Sequence, residues 1–368
     1  MSGKLKISLT RYGANDLVNL PACCKHGRRV VFIVFALVLV NHGVFADPIP
    51  DEDAEKNLEL NITSVSSEHD PGIPRALTID AGTSLEIEAA TLPSPRPTRV
   101  VRGVLTVGAN TDLQNSLEDD AGHARATRES ILAGLDVPVS KKTSLSASIE
   151  REWSQYDFDL NPPALADIGF MHLSITRFGL IGRHQINQDW MAIAVGDLTV
   201  STEDHAAWSD GMTYGGLVAA RRQVNKSFAW QIGLIAHTRL EDATMILPIP
   251  GIEWKINDRF SLQTAQGMTL SYNPGQKSRW LFDIGANYES RGFRINNRPA
   301  LANGIFIDRR VPLLMAATFR PARALFVRMS ASLPVYRQYQ FCAEDGTTLD
   351  SFDSDPTPSL NISTGAVF

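Results

Sequence analysis

Cysteine is nearly absent from this chain. Of three cysteines in 368 residues, Cys23 and Cys24 sit near the start and Cys342 stands alone in the remainder. One thiol builds neither a disulfide framework nor a cysteine metal site. Long apolar runs are equally scarce. Val30–Val40, VVFIVFALVLV, is the one solid stretch, and its eleven residues fall short of the roughly 20 that a helix needs to cross a bilayer. No convincing helical period follows residue 99, and no basic patch of the kind that binds nucleic acid stands out. A phosphate loop, a nucleophile elbow and a dinucleotide fingerprint are all missing. These absences point away from nucleotide-dependent enzymes, nucleic-acid binders and helical membrane proteins.

The apolar run makes sense through its flanks. Lys25, His26, Arg28 and Arg29 precede it, and NHGVFADPIP follows. Val44 and Ala46 occupy the −3 and −1 positions of a small-residue cleavage site, so 1–46 is expected to be a secretory signal peptide with cleavage between Ala46 and Asp47. Charge is divided to match. Residues 1–46 carry six basic and one acidic side chain, and 47–98 carry eleven acidic and three basic, in a chain of net charge −5. The second segment is acidic, rich in Ser and Thr, and ends in LPSPRPTR. It buries too little apolar surface to offset its ordering entropy, so a mostly disordered periplasmic extension is expected over 47–98.

From Arg99 the texture changes to period two. Trp280, Phe282, Ile284, Ala286 and Tyr288 alternate with Asp283, Gly285, Asn287 and Glu289. Phe228, Trp230, Ile232, Leu234 and Ala236 alternate with Gln231, Gly233 and His237, and Leu325 to Leu333 behaves alike. Such runs are strands with one apolar and one polar face. Short polar turns left through an aromatic recur in QINQDW (185–190), QVNKSF (223–228) and KINDRF (255–260), while the intervening connections are longer. A mean hydropathy of −0.10 suits a membrane barrel, whose lipid-facing residues hide in alternation. The expected fold is all-β: an antiparallel transmembrane β-barrel over 99–368, of 12–14 strands. Fourteen requires 259–273 to be a short hairpin turning near Gln266 and Gly267.

Two resemblances agree. The last strand, PSLNISTGAVF, is similar to the C-terminal signal of bacterial outer-membrane proteins, with Leu360, Ile362, Ala366 and Phe368 on the matching positions. That resemblance implies recognition by the barrel-assembly machinery. The stretches GIEWKINDRFSL, LSYNPGQKSRWLFDIGANYES and RALFVRMSASLPVYRQYQF resemble an uncharacterised domain-of-unknown-function family of outer-membrane barrels. It implies a bacterial outer-membrane location, with lipid as surroundings, and brings no activity, cofactor or catalytic residue.

Candidate residues are few. His172, Ser174, His237, Asp283, Glu289 and Arg328 are expected to face the lumen. In FMHLSITRFG, His172 and Ser174 lie two apart and hence on one strand face, the spacing of a base and a nucleophile. Met171, Leu173 and Ile175, taken as the lipid-facing set, would turn that pair inward, which disfavours an outer-membrane lipid hydrolase. Asp204, His205 and Asp210 lack recognised metal-ligand spacing. In FIDRRVP, either Arg309 or the pair Asp308 and Arg310 must face inward. The expected function is a passive, porin-like channel or structural envelope protein, without catalysis, metal or cofactor. A hydrolase using His172 and Ser174, and a binding or assembly protein acting through 47–98, are the alternatives.

Overall fold

The computed structural model describes residues 101–161, 168–204, 206–241, 244–265, 267–275, 277–296 and 301–368. The expected signal peptide, its Ala46–Asp47 cleavage site and the 47–98 extension lie outside these residues. Seventeen strand segments follow in order: β1 (Arg102–Asp112), β2 (Asn115–Leu117), β3 (Gly122–Pro138), β4 (Thr143–Leu160), β5 (Phe170–Gln185), β6 (Trp190–Glu203), β7 (Met212–Gln223), β8 (Phe228–His237), β9 (Met245–Lys255), β10 (Phe260–Thr264), β11 (Gly267–Tyr272), β12 (Trp280–Asn287), β13 (Glu289–Arg294), β14 (Ile305–Ala322), β15 (Leu325–Cys342), β16 (Thr348–Asp353) and β17 (Ser359–Val367). Two short 3-10 turns, Glu118–Asp120 and Trp208–Gly211, are the helical elements among the described residues.

Three pairs of segments are interrupted single staves. β1 and β2 both pair with β3, β12 and β13 both pair with β14, and β16 and β17 both pair with β15. Fourteen staves therefore run antiparallel around the wall, and β1 closes the ring on β17 from Val104↔Val367 to Asp112↔Ser359. The hairpin expected within 259–273 is β10–β11, paired from Phe260↔Tyr272 to Thr264↔Met268.

The two ends of the barrel differ. At the turn end, an asparagine organises three of the tight connections. The Asn187 side chain accepts from the N–H groups of Asp189 and Trp190, Asn225 from Ser227, and Asn257 from Arg259 and Phe260. These are Asx-type turns, in which a side chain stands in for backbone. In the third, Lys255 donates to Asp258 and holds its exposed carboxyl below the ordinary value.

At the loop end the wall contracts. β13 keeps β14 on one side and on the other meets β6 in parallel, Arg294 opposite Thr202, and the Asn296 N–H donates to Glu203. The staves β7 to β11 are left out of this upper ring, so fourteen staves at the turn end become nine at the loop end. About eight strands enclose just the space that side chains fill. A nine-stave ring is therefore expected to be solid, and a fourteen-stave ring to have room.

Burial follows this contraction. The outward row of the lower wall is apolar: Leu145 and Ile149 on β4, Ile232 and Leu234 on β8, Leu313 and Met315 on β14, and Leu360 and Ile362 on β17 are all exposed. Aromatics bracket the row. Trp190 packs on Trp230 and Trp280 on Phe319 near the turn end, while Trp153, Tyr214 and Tyr288 stand exposed higher up. Above Trp153 the polarity inverts. Gln155, Asp157 and Asp159 of β4 face outward, and Tyr156 and Phe158 pack inside. The strands are consequently longer than alternation alone indicates, reaching 18 residues in β4, β14 and β15.

Candidate functional site

The interior is the site, and it is layered. Near the loop end, Tyr156, Phe158, Phe293, Phe306, Tyr339 and Phe341 converge in one buried cluster. Edge-to-face contacts dominate across the lumen, with Tyr156 and Phe306 centroids 4.9 Å apart and Phe158 and Phe341 5.7 Å apart. This geometry suits the ring quadrupoles. Met171, Leu173 and Ile175 of β5 complete the cluster's wall.

Beneath it lies a buried charge layer. Arg128, Arg291, Arg310 and Arg337 meet Asp112, Glu152, Glu289 and Asp308. Asp308 is 0% exposed and accepts from Arg128 (2.9 Å), from Arg337 (3.1 and 2.9 Å) and from the Tyr156 hydroxyl (2.9 Å). Arg337 also reaches Asp112 at 2.8 Å, and Arg310 joins Glu289 at 2.5 Å. The four positive and four negative groups cancel, as burial demands. Arg128 on β3 and Asp308 on β14 are separated in the wall by β1, β17 and β15, so their contact crosses the lumen rather than following the wall.

The lower interior has a different character. Ile181, Met191, Ile193, Val195, Leu217 and Ile235 form an inward apolar patch on β5 to β8, with Ile249 of β9 packed against it. Arg177–Glu150 and Arg221–Glu253, each at 2.7 Å, lie beside it, and Arg328–Asp283 at 2.7 Å joins β15 to β12. His237 Nε2 lies 3.4 Å from Asp197.

Four of the six residues expected in the lumen are there. Asp283 pairs with Arg328, Glu289 joins the charge layer, and His237 meets Asp197. His172 and Ser174 are not. Met171, Leu173 and Ile175 occupy the inner cluster, so the even positions of β5 face outward. The inward expectation for this pair is corrected: the apolar row of upper β5 faces the solid ring, not lipid. His172 is exposed and packs edge-to-face on Phe170, whereas Ser174 is only 4% exposed, opposite Trp153. No hydrogen bond joins the two among the described residues. In FIDRRVP, Asp308 and Arg310 take the inside, and Arg309 turns outward to Gln340 and Glu241. No grouping of three or more His, Cys, Asp or Glu side chains fit to hold a metal occurs among the described residues, which exclude His205.

Sequence reasoning missed Asp112, Arg128, Arg291 and Arg337. For Asp112, Arg128 and Arg291 the signal was a charged residue on the non-apolar parity of a strand, which alternation alone reads as a hydrated lumen; Arg337 continues the apolar odd row of Leu325 to Leu333 and turns inward only through the register shift of β15 against β14.

Residues 124–366 match the family model described as Domain of unknown function (DUF6268). The chain belongs to that family. No curated protein matches the DUF6268 chain at a significant level. Among solved structures, it is similar to the COG4313 outer membrane channel from Pseudomonas putida F1, with 10% identity, coverage of 76% of this chain and 98% of that one, and a TM-score of 0.43. It is also similar to the P. putida toluene transporter TodX (8% identity, 73% and 89% coverage, TM-score 0.41) and to the KdgM porin (7%, 72% and 99%, 0.31). The barrel assignment rests on the strand pairing, not on these scores.

Proposed function

We propose that this DUF6268 chain is an integral outer-membrane β-barrel of a bacterial envelope, porin-like in its wall, closed at its loop end, and not an enzyme. The observation that carries the reading is the exposed apolar row around the lower wall with aromatics above and below it. In water so large an apolar surface would drive association. In a bilayer it matches the apolar band, about 25 Å tall, of outer-membrane barrels. The outward row Leu360, Ile362, Ala366 and Phe368 fits presentation of the last strand to the barrel-assembly machinery, after export directed by residues 1–46.

The filled nine-stave ring favours a closed barrel over an open diffusion pore. Passage through it would require the aromatic and charge layers to move. Recovery in the outer-membrane fraction with heat-modifiable gel migration tests the location, and a soluble periplasmic protein would sink it. In a planar bilayer the wild-type protein is expected to show no steady conductance; a constant open-pore current would refute closure.

A further inference from the structure

Among the described residues the wall is open between β9 and β13, and the sequence is adapted to the break. The β10–β11 hairpin is short. β9 pairs with it only from Ile252 to Lys255, and β12 pairs with β11 only up to Asn287. Above the hairpin, β9 from Ile246 to Gly251 keeps β8 on one side and, among the described residues, has no strand on the other. The gap begins across the width of three inter-strand spacings, about 14 Å. At its top, Leu240 of the β8–β9 connection packs over Ile305, Ile307 and Cys342, and approaches Gly292. This bounds a window.

The backbone direction of β9 can be fixed. Lys255 N–H donates to Ser227 on the β8 side, and Ile252 N–H donates to the Thr264 hydroxyl on the β10 side. Even-numbered residues of β9 therefore direct their N–H groups toward the gap. Two of the three even positions above Ile252 are Pro248 and Pro250, which have no N–H. Proline is confined to strand edges for this reason, and in lipid an unpaired donor is especially costly. The window lies between the levels of Trp254 and Tyr214, inside the apolar band.

Behind the window lies the apolar inner patch. Leu247 is on the inward parity, opposite the buried Ile235, yet is 46% exposed. At the patch's upper margin the Asp197–His237 pair leaves Asp197 Oδ1 and His237 Nδ1 buried without hydrogen-bond partners. Buried polar atoms are normally satisfied, so two orphaned atoms on one contacting pair point to a ligand. With His237 Nε2–H directed at Asp197, both free atoms are acceptors.

We propose that the β9–β13 gap is a permanent lateral window through which a small apolar molecule bearing one hydrogen-bond donor, such as a hydroxyl, exchanges between the bilayer and a lumen site at Asp197 and His237. This rests on the reading of the chain as a membrane barrel and adds a route that avoids the sealed loop end. The test uses the full chain reconstituted in lipid, with Cys23, Cys24 and Cys342 changed to Ser and a spin label placed at Leu247→Cys. The label should collide with oxygen in preference to a water-soluble nickel chelate, as a label at the outward Ile246→Cys does. A nickel-dominated label on a heat-modifiable, inserted barrel overturns the window alone, whereas failure to insert overturns the barrel reading. Saturable binding of 4-hexylphenol should weaken about tenfold in Asp197→Asn and in His237→Ala, with hexylbenzene binding unchanged. Equal loss for both probes, or no saturable binding of 4-hexylphenol by the wild type, overturns the donor site.

Discussion

Asp308 and Arg337 show what a single side chain does in this lumen. Each is wholly surrounded by opposite charge and hydrogen-bond donors or acceptors, so deleting one partner strands the others away from water. Arg337→Met removes one contact from Asp112 and two from Asp308, and breaking a buried pair this way costs about 3–5 kcal/mol. The expected readout is a lower temperature for the heat-induced gel shift. Adding Asp308→Asn should cost less than the two single losses combined, because both changes remove one interaction; strict additivity would show the pair to be uncoupled. Ser174 behaves differently. It makes no hydrogen bond with His172, so Ser174→Ala should leave envelope lipid composition and esterase activity unchanged, and a changed lipid profile would revive the hydrolase.

At the scale of strands, the prolines of β9 make a sharp prediction. Replacing Pro248 and Pro250 together by Ala gives the window edge two N–H groups with no partner, at about 1–3 kcal/mol each. The double variant should be less stable to heat, or should pair edge to edge and migrate as a dimer, as unprotected edges do. Unchanged stability and a monomer would mean that the edge is covered in the membrane. Strands also mark what was legible beforehand. The hairpin within 259–273 and the Asx turns were readable, because turn chemistry and apolar–polar alternation are local. The inward position of Asp283 and Arg328 was readable for the same reason. The placement of His172 was not. Alternation reports which parity is apolar, not which side is inside. Along β5 the apolar set passes from the outward Phe178 and Leu180 to the inward Leu173 and Ile175 as the strand leaves the apolar band. On β15 a register shift against β14 at Val311/Pro312 has the same result, turning odd positions from the outward Met329 to the inward Tyr339. Both reversals depend on where lipid ends and on how many staves close the upper ring, and neither is local.

The barrel is two structures stacked on shared strands: a nine-stave ring with a core like that of a soluble protein, and a wider ring whose apolar side is outside. They should fail separately. Phe158→Ala with Phe306→Ala removes about 3–5 kcal/mol per ring from the upper core. Protease sensitivity at the loops should rise while heat-modifiable migration, which reports the lower wall, persists. Simultaneous loss of both would show one cooperative unit. The charge layer has a consequence in time as well. Arg128 belongs to an early hairpin of the chain, whereas Asp308 and Arg337 come from its last third, and the β1–β17 seam joins residues 247 to 263 positions apart. The tight hairpins can form locally and fast, but contacts of such separation form late. Until the seam shuts, each of these arginines remains hydrated. Dehydration of the charges and closure of the circle are thus one event, and the rate of assembly should depend on it.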